Sequence, residues 1–213
     1  MKAIIFDLDG VIIDSEEQWF QVTKDLCAEY GYEYTKELYK KVMGSNGPRI
    51  IKEKLNLSDS EDELKDKLKR NYLSLIKDNI KIMPGIHSLL ERAGKGFVLA
   101  LASSSPQDVI DFVIDKTKLG DYFSFSTCGS EVENAKPEPE IFLLTAEKME
   151  LKPTECIVVE DSPNGVRAAK AAGMKCIALK NPYASGNELK KAGADIIIND
   201  LDEITEKLLK DLS

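Results

Sequence analysis

The stretch Lys2-Ala3-Ile4-Ile5-Phe6-Asp7-Leu8-Asp9-Gly10-Val11 decides the fold. Ala3 to Phe6 is apolar at every position, so the segment has no side to turn toward water. A half-exposed strand alternates, whereas a strand covered on both faces of a parallel sheet reads as a continuous apolar run. The run ends in two carboxylates one residue apart, followed by a glycine. An unpaired buried carboxylate is costly, so Asp7 and Asp9 at the end of such a strand require something cationic nearby. In open parallel sheets the carboxyl ends of the strands are also where ligands bind. A site is therefore expected at residues 7–9.

Downstream, the periodicity changes twice. From Ser15 to about Met83 it is helical, with Trp19, Val22, Leu26 and Tyr30 on one face and Leu64, Leu68, Tyr72 and Leu75 on another. Gly31, Gly44-Ser45-Asn46-Gly47-Pro48 and residues 56–60 read as breaks between helices. After Pro84-Gly85, apolar strands at 97–102, 125–128, 156–159, 175–179 and 195–198 alternate with helices. Ser105-Pro106 and Ser162-Pro163 each read as a helix cap followed by a first-turn proline. The expected fold is α/β: a Rossmann-like parallel sheet formed by residues 1–14 and 84–213, with an all-helical cap domain, residues 15–83, inserted after the first strand.

With 213 residues, 43% hydrophobic and 31% charged, the chain can bury a substantial core. A net charge of −8 disfavours nucleic acid and anionic membranes as partners. No apolar run is long enough to span a bilayer, and the N-terminus shows no signal-peptide pattern. Cys27, Cys128, Cys156 and Cys176 have no paired spacing, so reduced, buried thiols in a cytoplasmic protein are expected.

In a parallel sheet every strand ends at the same rim. Asp7-Leu8-Asp9, Ser103-Ser104-Ser105, Lys136-Pro137 and Glu160-Asp161 would then converge. Carboxylates crowded in this way need a divalent cation, and hard oxygen donors with no His or Cys cluster select Mg2+, which also binds phosphate oxygens. The constellation fits phosphoryl transfer.

With those four motifs in that order, the chain resembles the haloacid dehalogenase superfamily, and most closely the subfamily of beta-phosphoglucomutase and small sugar-phosphate phosphatases. The resemblance implies that Asp7 is the nucleophile, forming an aspartyl-phosphate, and that Asp9 serves as acid toward the leaving oxygen and then as base toward water. It implies Mg2+ held by the Asp7 side chain, the Asp9 backbone carbonyl and Asp161, with Glu160 as a direct or water-mediated ligand. Ser103 and Lys136 would hold the transferring phosphoryl group, with Ser104 beside them. Position alone adds Trp19 and Asn46 from the cap as substrate contacts. The substrate implied is a small phosphorylated metabolite, a sugar or polyol phosphate, acted on by a monomer.

Each residue also has a plainer reading. Asp9 suits a turn, Ser105 a cap, Lys136 an exposed surface, and Asp161 the positive end of a helix dipole. His87 reads as solvated, and Arg49 as a surface charge. A dehalogenase needs neither the second aspartate nor the metal acids. A phosphomutase is the nearer competitor. Beta-phosphoglucomutase grips a second phosphate with an arginine shortly after a cap glycine and carries a histidine in its first cap helix. The matching places here are Gly47 and Trp19, with Arg49 displaced by two residues, which favours net hydrolysis. A non-catalytic metabolite sensor would have little use for an intact nucleophile.

Overall fold

The computed structural model describes residues 1–212. Six parallel strands form one sheet in the order β3-β2-β1-β4-β5-β6. They are β1 (Ala3–Phe6), β2 (Val98–Ser103), β3 (Phe125–Cys128), β4 (Cys156–Glu160), β5 (Lys175–Leu179) and β6 (Ile196–Ile198). β1 is central and pairs with β2 through Ile4↔Leu99 and with β4 through Ile4↔Ile157. The chain builds outward from β1 to β3, then crosses back to lay β4 on the opposite side of β1. This reversal opens a crevice between the carboxyl ends of β1 and β4, the usual ligand position in such sheets.

Alternation within the strands explains the apolar runs. Ile4, Phe6, Leu99, Leu101, Ile157 and Val159 pack on one face, against α5 (Ile86–Ala93) and α6 (Gln107–Thr117). Ala3, Ile5, Ala100, Ala102 and Val158 pack on the other, against α7 (Glu140–Lys148) and α8 (Pro163–Ala171). Each large β1 side chain is fully buried and contributes about 2 kcal/mol. α9 (Gly186–Ala192) and α10 (Glu206–Asp211) complete the layers.

Between β1 and α5 lie four helices only: α1 (Glu16–Glu29), α2 (Lys36–Val42), α3 (Gly47–Leu55) and α4 (Glu61–Ile76). Side-chain caps define three of their starts. Thr35 accepts from Leu38 N, Asn46 accepts from Arg49 N, and Ser60 forms a reciprocal capping box with Glu63. The two connections to the sheet pair with each other: Asp14 N donates to the Lys81 carbonyl at 2.8 Å and Met83 N to that of Ile12 at 2.9 Å. In α4 the buried face is Leu64, Leu68, Tyr72 and Ile76, whereas Leu75 is 48% exposed. The strict i, i+4 row reaches residue 76, one position beyond the expected Leu75.

Ser162 caps α8 as expected, accepting from Gly165 N with Pro163 in the first turn. Ser105 does not cap α6. Pro106 occupies the cap position with an extended backbone and the Ser105 hydroxyl turns elsewhere. His87 is exposed on α5 and the four cysteines are buried and free. Among the described residues no helix is long and apolar enough to cross a membrane.

Candidate active site

Asp7 continues β1 by donating its N–H to the Val159 carbonyl at 3.0 Å, which sets its side chain in the β1/β4 crevice. Lys136, from the loop between β3 and α7, reaches the same point and is almost wholly buried. Its ammonium lies 2.7 Å from Asp7 Oδ1, 2.7 Å from Glu160 Oε1 and 3.5 Å from the Ala102 carbonyl. Burial opposes this charge, but Asp7 and Glu160 more than offset it and hold the ammonium above the usual lysine range. Asp7 itself is pushed up to about 7 by burial, with Lys136 pulling the other way.

Glu160 turns its second oxygen to the protein. Oε2 accepts from Asp161 N at 2.8 Å, Ser162 N at 2.7 Å and Ser162 Oγ at 2.9 Å. A Cβ on Gly165 would overlap this carboxylate, so only glycine lets α8 start there. Both oxygens have protein partners and Glu160 does not line the chamber, so it orients Lys136 and the β4–α8 turn. Glu160, expected as a direct or water-mediated ligand, stands behind the chamber on Lys136.

Asp9 is gripped from two sides. Oδ1 accepts from Ser15 Oγ and from Trp19 Nε1, both at 2.7 Å, and Oδ2 accepts from Ser105 Oγ at 2.8 Å and Ser103 Oγ at 3.5 Å. Ser103 also accepts from Ser105 N at 3.1 Å, so Ser103 ties the turn as well as facing Asp9, and Ser105 faces the acid instead of capping α6. The Trp19 indole stacks on Tyr72 with centroids 3.8 Å apart.

Asp161 Oδ2 accepts from Asn181 Nδ2 at 2.7 Å. Gly10, at φ +74°, lies so close that any Cβ would overlap the Asp161 carboxylate, which explains the glycine after Asp9. Among the described residues, no hydrogen bond reaches Asp7 Oδ2, Asp161 Oδ1 or the Asp9 carbonyl. Asp7, Asp9 and Asp161 all line one chamber of about 230 Å³. These are hard oxygens, and among the described residues the buried carboxyls Asp7, Glu16, Glu160 and Asp161 are matched by one buried ammonium, Lys136. Burial also pushes the Asp161 carboxyl well above its usual range, with Glu16 and Glu160 adding to it. A divalent cation fits both the charge deficit and the donor set. Among the described residues no three His, Cys, Asp or Glu side chains form a self-contained cage, so such a site would use two side chains and a main-chain carbonyl.

The inserted helices roof the chamber with Glu16, Trp19, Thr23 and Tyr39. Glu16 was not anticipated. It is buried, accepts from Tyr39 Oη at 2.6 Å and is pushed up to about 8 by burial. Its spacing from Trp19 and Thr23, i, i+3 and i+7, was the available signal. Asn46 and Ser104 line the chamber, and each also bonds within the protein. Asn46 caps α3 and donates to Glu61 at 2.6 Å, and Ser104 Oγ donates to the Gly44 carbonyl at 3.1 Å. Both residues also tie the roof together and to the sheet. Trp19 likewise gives its N–H to Asp9. Arg49 is exposed, pairs with Glu53 at 3.0 Å and stands outside the chamber.

A family profile described as haloacid dehalogenase-like hydrolase matches residues 4–179. The phosphorylated carbohydrates phosphatase of Thermotoga maritima is 36% identical over 207 residues, spanning 93% of this chain and 94% of that protein. Hexitol phosphatase B of Escherichia coli strain K12 is 29% identical over 214 residues, spanning 96% of this chain and 95% of that one. The crystal structure of beta-phosphoglucomutase from Clostridium difficile superposes with a TM-score of 0.87 at 26% identity, covering 100% of this chain and 96% of that one. A central strand ending in Asp7, an inserted helical roof and relatives matched along nearly their full length agree: the chain belongs to the haloacid dehalogenase-like hydrolase family.

Proposed function

We propose that this chain is a Mg2+-dependent phosphatase of a small phosphorylated metabolite, a sugar or polyol phosphate. One observation carries the reading: Asp7 keeps Oδ2 open to the chamber while Lys136 binds its other oxygen, with Asp9 held beside it. Asp7 Oδ2 attacks phosphorus, the bond to the leaving oxygen breaks, and the phosphoryl group rests on the Asp7 carboxylate. Asp9 gives a proton to the leaving oxygen, then takes one from the water that frees phosphate. Ser103 and Lys136 bind the transferring oxygens. The residues that would hold Mg2+ are Asp7, the Asp9 carbonyl and Asp161, and the bound ion would offset repulsion between carboxylate and phosphate. The names of the two phosphatase relatives support the substrate class.

The cap domain, residues 15–83, is proposed to close over the substrate from the paired connections at 12–14 and 81–83. A monomer is proposed because closing the roof over the chamber needs only one chain, and four free buried thiols suit a cytoplasmic protein. Phosphate release from p-nitrophenyl phosphate with Mg2+ tests the reading. Wild type is expected to turn over and Asp7→Asn is not. Isomerisation of a glucose phosphate without phosphate release would replace hydrolysis by mutase chemistry, and no turnover on any phosphoester would leave a sensor.

A further inference from the structure

A tight turn after β5 touches both the candidate ion site and the roof. Asn181 opens it, and its side chain is used in full. Nδ2 donates to Asp161 Oδ2 at 2.7 Å and to the Asp161 carbonyl at 3.0 Å. Oδ1 accepts from Tyr183 N at 2.7 Å and Ala184 N at 2.8 Å. Those two N–H groups require an acceptor, which fixes the amide with its NH2 toward Asp161. Tyr183 points the other way and is buried among residues of α1 and α2. Its ring meets Tyr39 edge-on at 4.9 Å and lies 6.2 Å from Phe20. The Lys36 ammonium stands 5.4 Å from the ring, and the hydroxyl donates to the Glu17 carboxylate.

From this geometry we infer that Asn181 is a positioning residue for Asp161, and that the turn at 181–184 couples the divalent-ion site to the seating of the inserted helices. The inference rests on the proposed reading that Asp161 holds such an ion. Asn181 covers Oδ2 and so leaves Oδ1 as the oxygen facing the chamber. Donors that orient a ligating carboxylate are typically worth ten- to a hundredfold in metal affinity. Tyr183 seats its ring against α1 and α2 and gives its own N–H to Asn181 Oδ1, so one residue joins the roof to the amide. Coupling of this kind is reciprocal: the ion steadies the roof, and a seated roof tightens the ion.

Mn2+ binding without substrate, read from the free-ion electron paramagnetic resonance signal, tests this. Asn181→Ala is expected to bind Mn2+ about tenfold more weakly than wild type. Tyr183→Phe touches no atom of Asp161, yet is expected to weaken Mn2+ by about fivefold. In wild type, Mn2+ should slow hydrogen exchange at the Asp14 and Met83 amides, and in Asn181→Ala it should not. A merely structural turn would lower the melting temperature while leaving Mn2+ affinity alone. Affinity within about twofold of wild type in folded Asn181→Ala overturns the coupling. If that variant does not fold, unchanged affinity and exchange in Tyr183→Phe overturn it instead. Failure of the wild type to bind Mn2+ would overturn the functional reading beneath it, a different and separable result.

Discussion

Replacing Lys136 by methionine keeps the length of the side chain and removes the ammonium that two buried carboxylates share. Both contacts are 2.7 Å and all three groups are at most 9% exposed in their side chains, so water cannot replace the lost charge. Removing one partner from a buried ion pair costs about 3–5 kcal/mol, because the remaining charge stays desolvated. For a chain of this size each kcal/mol moves the melting temperature by about 2–4 °C, so Lys136→Met should melt about 6–20 °C lower. Urea unfolding in EDTA measures this without a contribution from bound ions. Adding Glu160→Gln removes one of the two stranded charges and leaves an amide able to donate to Asp7, so about half the loss should return. A single variant within about 1 kcal/mol of wild type would refute the claim that Lys136 neutralises the β1/β4 crevice. Activity should fall with the single substitution and stay low in the double variant, since neither restores a cation at the phosphoryl oxygens.

Glu16 yields a pH test. Its carboxyl is raised from 4.5 to about 8 by burial, so between those values the folded chain holds a proton that the unfolded chain has lost. Wild-type stability should therefore decline as pH rises through that window. Glu16→Gln should match wild type near pH 4 and exceed it by on the order of 4 kcal/mol at pH 8, measured by urea unfolding. Trp19→Phe keeps an aromatic ring over Tyr72 but removes one donor from Asp9; kcat should drop about tenfold with stability within about 1 kcal/mol. Arg49→Ala removes only an exposed pair, so steady-state kinetics should show kcat/KM within about twofold of wild type; a large loss would mean that Arg49 swings in to grip substrate.

The positions readable in advance were those whose neighbours in sequence betray them. Asp7 ends an apolar strand, Asp161 ends another, and a parallel sheet sends both ends to one rim. Lys136 was readable only because its motif accompanies the others, since a lone lysine in a loop gives no sign of burial. The donors around each carboxylate were harder. Ser105 sits in a sequence that suits a helix cap, and only the turn made by Ser103 shows that its hydroxyl is free for Asp9. Asn181 and Tyr183 lie 20 and 22 residues beyond Asp161, in a turn with no periodicity to mark it. Glu160 hid its partners for the opposite reason: an acid beside Asp161 reads as a ligand, and no sequence signal announces that Lys136 and three other donors bond to it.

The division of labour around Asp9 has a consequence of its own. One oxygen answers to Ser15 and Trp19, which travel with the inserted helices; the other answers to serines anchored in the sheet. Swinging those helices outward would strip half the carboxylate's neighbours and hand that oxygen to water. If Asp9 carries the proton as proposed, that group would be fully dressed only with the roof shut, so an empty, gaping enzyme would be a poor hydrolase of whatever wandered past.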